Sequence, residues 1–349
     1  MNYSVWSRGQ HAPDGGCGKA SRFGLWLLLT LLVTPTSTLA QLSSADRPTP
    51  PPVSGRRLSA PETITPADVL SRLELLRAEV DLLRAYVGRS GRPSSYLEVE
   101  DAQPREVYFQ ATNLYAQTEA LAFQEIRRSS TYAARLDVGA LRPFEVFEAV
   151  DQSLALVLRV KAAFGIEETV GERVSPDTTT PTDVFNTMVR AEGEIALLLD
   201  RSPSASDLYR QVTQAVHAAA ALQAELTSSA LPTEPAFELN KTAADVETRL
   251  FACYELIRRV ATMHDIEMLK LVTDSEAMPE ASLRSGPSAG GGAISRDLLA
   301  IITAELAFMH SALTDGDDII QATHPGRRVY SHVYQRAGLL ERILTELNR

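Results

Sequence analysis

The chain has 349 residues, 44% of them hydrophobic and 22% charged, with a net charge of −10. That length can bury one large core or two ordinary ones. No block of Lys or Arg stands out, so the phosphate-neutralising face that nucleic-acid binding rests on is missing, and anionic membrane surfaces are disfavoured for the same reason.

Residues 1–40 read as a signal peptide. Arg8, Lys19 and Arg22 precede the apolar run 23–33, and Thr38-Leu39-Ala40 offers small residues before a cleavage point. Eleven helical residues reach about 16 Å, against a hydrocarbon core of about 30 Å. Cleavage is therefore expected, with no stable membrane insertion afterwards and a periplasmic or secreted product; a retained anchor is the alternative. Cys17 would leave with the signal, so Cys253 would remain alone and no internal disulfide could form. Residues 41–64, with Arg47-Pro48-Thr49-Pro50-Pro51-Pro52, read as a Pro-rich disordered linker.

A helix-start phrase then recurs every 38 residues or so: Thr65-Pro66-Ala67-Asp68-Val69, Gln103-Pro104-Arg105-Glu106-Val107, Arg142-Pro143-Phe144-Glu145-Val146 and Thr180-Pro181-Thr182-Asp183-Val184. Each member has a physical task. The first residue can cap free N–H groups, and proline has no N–H to leave unpaired. The acid can bond back to the cap and meets the positive end of the helix dipole. Val opens an apolar stripe: Leu73, Leu76, Val80, Leu83 in the first helix and Met188, Ala191, Ile195 in the fourth. The aromatic beside several of these valines reads as a staple between helix ends.

Looser copies follow at Ser206-Asp207-Leu208 and Thr242-Ala243-Ala244-Asp245-Val246. Ser295-Arg296-Asp297-Leu298 is expected to open a seventh helix, and residues 325–330 an eighth. The fourth and fifth helices should join through a short turn near Ser202-Pro203-Ser204, and residues 275–294, which contain the Gly-rich stretch 285–292, should be a mobile surface loop. The chain is thus expected to be all-α, with about eight long helices in tandem four-helix bundles, 65–201 and 202–349; an α-solenoid is the alternative. Thirteen extended loop residues reach about 43 Å, more than the ~33 Å of a 22-residue helix. A loop could therefore return along its helix and make neighbours parallel, but such loops are unusual and antiparallel neighbours are expected.

The chemistry is sparse. His217, His264, His310 and His332 fall one per helix in the second set, at scattered depths and without Glu-x-x-His, so neither haem nor a di-metal site is expected. His264 continues an apolar stripe and is expected in the core. Cys253 lies on the same stripe, where a thiol is inert. Asp315-Gly316-Asp317-Asp318 lacks the calcium-loop pattern. No metal, cofactor or catalytic set emerges. His264, Cys253 and Tyr254 are the residues to examine for a ligand or an interaction. The leading expectation is a non-enzymatic module, secreted or periplasmic, that docks or scaffolds an unidentified protein partner. A periplasmic small-molecule sensor and an enzyme of unrecognised type are the alternatives.

Overall fold

A computed structural model gives the structure over residues 64–91, 97–128, 141–199, 204–227, 229–272, 291–314, 319–323 and 325–349. The expected signal peptide, nearly all of the Pro-rich linker, Ser202-Pro203, residues 285–290 and Asp315–Asp318 lie outside the described residues. Eight helices are described: α1 (Pro66–Tyr86), α2 (Pro104–Ile126), α3 (Pro143–Ala163), α4 (Pro181–Ala196), α5 (Ala205–Leu226), α6 (Ala243–Met263), α7 (Gly291–Leu313) and α8 (Tyr330–Leu347). Two short strands, β1 (Val99–Glu100) and β2 (Lys270–Leu271), pair antiparallel.

The start phrase behaves as its chemistry predicts. In α1 the Asp68 N–H donates to Thr65 Oγ1 at 3.3 Å, while Asp68 Oδ2 accepts from the Thr65 N–H at 2.8 Å. The same reciprocal box closes at Thr180/Asp183, Ser204/Asp207 and Thr242/Asp245. In α2 and α3 the acid's arm is present: Glu106 accepts from the Gln103 N–H and Glu145 from the Arg142 N–H.

The direction of the helices departs from expectation. Pro66, Pro104, Pro143 and Pro181, with Val69, Val107, Val146 and Val184, surround one small apolar hole, so all four starts meet at one end of the bundle. Cross-helix pairs agree. Arg77 binds Glu194 and Arg72 binds Asp151, each near its partner's level along the bundle. α1–α4 are therefore mutually parallel, and the antiparallel expectation is corrected. The physical reason is the long loops. After α1 the chain returns along α4: the Ala102 N–H donates to Thr182 and the Val99 N–H to Asn186. After α3 it returns along α1: the Val170 N–H donates to Glu79 and the Ser175 N–H to Ser71. These loops join helices on opposite corners, since α1 and α2 each pack on both α3 and α4.

α5–α8 repeat the scheme, with α5 and α6 each packed on α7 and α8. The loop after α5 returns along α8 through Thr233–Arg342, Pro235–Gln335 and Lys241–Ser331. The loop after α7 returns along α5 through Ile320–His217, Ala322–Gln214 and Arg328–Ser206. Both fourfold sets thus share one wiring, as expected of a duplicated unit.

The two bundles run in opposite directions. Arg105, at the start of α2, meets Glu305 in the second half of α7, whereas Gln110, further along α2, meets Asp297 in its first half. Parallel bundles stack helix dipoles unfavourably; the acids at the helix starts and the opposed neighbouring bundle both offset this. β1 and β2 clasp the bundles, reinforced by Val272 N–H to Glu98 carbonyl at 3.0 Å and Lys270 to Asp101 at 2.7 Å.

Candidate functional site

The chemistry gathered by this fold lies where α2 and α4 of the first bundle meet α7 of the second. α7 packs on α2, α5 and α6 at once, so its surroundings are dry on most sides. Arg296 and Asp297 are inside this helix and buried, not at its start. The expectation that Ser295-Arg296-Asp297 opens α7 is therefore corrected: the helix begins at Gly291, and Arg296 and Asp297 bond to the other bundle.

One cluster centres on Glu192 of α4, which is 1% exposed. Its Oε1 accepts from Gln110 Nε2 at 2.8 Å, and its Oε2 from Gln117 Nε2 at 3.2 Å. Arg296 Nη2 reaches the same Oε2 at 2.8 Å. Gln110 Nε2 also donates to Asp297 Oδ1 at 3.0 Å, so one amide links two buried carboxyl groups. Asn113 extends the layer, donating to the Arg296 carbonyl and accepting from Gln211 of α5. Burial pushes Glu192 well above the ordinary carboxyl range, with Arg296 opposing and Asp297 adding to the rise. Burial likewise lifts Asp297 to about 6, against the pull of Arg296 and Gln110.

A second cluster lies about a turn further toward the start of α2. Arg105 Nε is 2.7 Å from Glu106 Oε1 and 3.2 Å from Glu305 Oε2. Arg105 also donates to the Glu267 carbonyl and lies over the Phe308 ring at 4.2 Å. Both carboxyl groups are fully buried. Glu305 is held well above its ordinary range, first by burial and then by its hydrogen bond and repulsion with Glu106.

The three residues singled out from sequence are not brought together into a ligand site. Tyr254 is buried, and its hydroxyl donates to the Leu269 carbonyl at 2.7 Å, holding the approach to β2; burial raises it to about 12. Asn186 does the matching work for β1: its Oδ1 accepts from the Val99 N–H and its Nδ2 donates to the Val99 carbonyl, both at 3.1 Å. Helix side chains thus occupy positions where further strands would bond. Cys253 is fully buried, with its Sγ 3.8 Å from the Ala337 carbonyl, and burial drives its thiol far up. His264 is exposed and follows the last residue of α6. Its expected core position is corrected: the stripe ends with the helix, and the chain leaves through Asp265 at φ 55°.

The other histidines have separate surroundings. His217 Nδ1 lies 2.9 Å from the Ile320 carbonyl, and the His332 ring is tilted at 50° to Phe237 with centroids 4.9 Å apart. Among the described residues, no group of three or more His, Cys, Asp or Glu is placed to hold a metal ion. Nor, among them, is any helix long and apolar enough to cross a membrane.

Two larger hollows are open surface grooves. One of 410 Å³ runs beside β2, lined by Phe251, Tyr254, Glu255, Arg258 and Lys270 among others. Another of 570 Å³ lies between α8 and the loop that returns along it. The buried interface network was missed from sequence. The signal was Gln110 and Gln117, seven residues apart on one face of α2, with Asn113 between them. No known protein family, curated protein or solved structure matches this chain.

Proposed function

We propose that this chain is a non-enzymatic docking or scaffold module, acting in the periplasm or after secretion and presenting its helical surface to a protein partner. The observation that supports this best is where the reactive groups are spent. The six buried Glu, Asp and Arg side chains of the two clusters bond one bundle to the other, and none of them lines either open groove. The apolar hole at the four helix starts measures 40 Å³, little more than one water's share of the liquid. Two bundles wired by return loops and clasped by strands form a stiff support, and Tyr86, Phe123 and Leu158 expose apolar surface on the first of them. Export rests on the sequence of residues 1–40 alone.

Photo-cross-linking in cells tests this reading. A benzophenone side chain at Tyr86 or Phe123 should give a discrete protein adduct, and one at the exposed Arg259 of α6 should not. Absence of adducts from both positions would overturn it.

A small-molecule sensor is the second reading, favoured by the groove beside Tyr254. Thermal-shift screening against small organic acids and bases should then raise the melting temperature, and Arg258→Ala should remove that rise.

A further inference from the structure

The interface between the bundles holds more acid than base. Four carboxyl groups, Glu106, Glu192, Asp297 and Glu305, share two guanidinium groups, Arg105 and Arg296. All six side chains are nearly or wholly buried, at 11% exposure or less. Among the described residues, the other side chains bonded into the layer bring no positive charge; Arg258 of α6 acts on Tyr254 and lines the open groove. Gln110, Gln117 and Asn113 of α2 and Gln211 of α5 are neutral amides; Tyr254 of α6 is a neutral phenol, and Glu267 offers its backbone carbonyl. From α1, Arg77 is engaged with Glu194, two residues along α4 from Glu192. An ionised carboxylate in a dry layer costs several kcal/mol unless paired. Charge balance therefore calls for about two protons in the layer. Glu106 and Glu305 both lie on Arg105, at 2.7 and 3.2 Å, so these two buried carboxyl groups share one guanidinium.

We propose that this layer is a proton-operated clasp: bound protons hold the two bundles together, and their loss loosens α2 and α4 from α7. The inference is independent of what the outer surface docks. Its sign follows from linkage. The folded chain binds these protons more tightly than the unfolded chain does, so the contribution is fully present below the ordinary carboxyl range. It is lost as pH rises above that range, through about 6 for Asp297, to which burial lifts it, with Glu192 and Glu305 likewise held by burial well above the ordinary carboxyl range. The covalent connection and the β1–β2 clasp keep the bundles near each other, so reclosing on acidification should be rapid.

Amide hydrogen exchange of the full chain, followed from about pH 5 to about pH 9 and corrected for intrinsic rates, reads the clasp directly. Protection in α2 and α7 should fall about tenfold or more relative to α1 and α8, which lie outside the layer. Carbon-13 titration of the wild-type side-chain carboxyls should give midpoints for Glu192 and Glu305 that coincide with this loss. The E192Q/E305Q pair, which mimics the protonated state, should keep α2 and α7 protected throughout. Unchanged relative protection in the wild type would overturn the proposal. So would a full response in the variant, or carboxyl midpoints near the ordinary value of about 4.3. If the variant does not fold, the wild-type carboxyl titration decides.

Discussion

Replacing Asn186 by Ala tests the clasp at its smallest element. Val99 is 2% exposed, and both its backbone groups are satisfied by the Asn186 amide at 3.1 Å. Alanine leaves a buried N–H and a buried C=O without partners. Each such loss costs about 1–3 kcal/mol, and the partial burial of these bonds puts the pair at about 2–4 kcal/mol. With a urea slope of up to about 3 kcal/mol per molar, the midpoint should fall by about 1 M. Equilibrium urea unfolding followed by circular dichroism gives that number. Hydrogen exchange at residues 98–101 and 270–272 should rise more than exchange in α8, because the strand pair loses its support. Asn186→Asp retains an acceptor for the Val99 N–H but sets a carboxylate against the Val99 carbonyl, so it should not restore stability. A midpoint shift of Asn186→Ala below about 0.2 M, with strand exchange unchanged, would refute the reasoning.

Lys161→Met should destabilise by about 3–5 kcal/mol, because Lys161 is the buried partner of Glu79 and its loss strands a carboxylate beside the return loop; the double variant K161M/E79L should recover most of this in the same urea assay. Gly338→Val should cost about 1–3 kcal/mol by thermal unfolding, since a Cβ there would lie 2.8 Å from Arg249 Nη1 and 2.9 Å from Pro235 Cγ. Cys253 should resist iodoacetamide in the native chain and react only on unfolding, as followed by mass spectrometry; its thiol is fully buried and its ionisation is opposed by that burial.

The starts of α1–α6 were legible because they are written locally: a cap, a proline or small residue, an acid and then the apolar stripe. Stripe members such as Leu73, Met188, Leu222 and Ile257 are all fully buried. Helix direction was not legible, because it depends on where the long loops lie. Those loops are fixed by single polar contacts, Glu79 to Val170 or Asn186 to Val99, between residues about ninety positions apart. The start of α7 was misread for a related reason. Asp297 has the look of a capping acid, but it serves as an interface acid because the helix begins six residues earlier. His264 sits on the stripe's period but beyond the helix's end, a boundary that periodicity alone does not mark. The polar layer itself was half visible: Gln110, Asn113 and Gln117 interrupt the apolar face of α2, but their partners come from α4, α5 and α7.

The central feature of the fold is a set of four parallel helices whose starts meet at one end. The most direct test is the distance between spin labels at Thr65 and Arg142, the caps of the neighbouring helices α1 and α3, measured by pulsed electron resonance in a Cys17→Ser background. Adjacent parallel helices packed about 8–10 Å apart predict a label separation of about 10–20 Å. A separation beyond about 30 Å, the length of either helix, would mean antiparallel neighbours and would contradict the account.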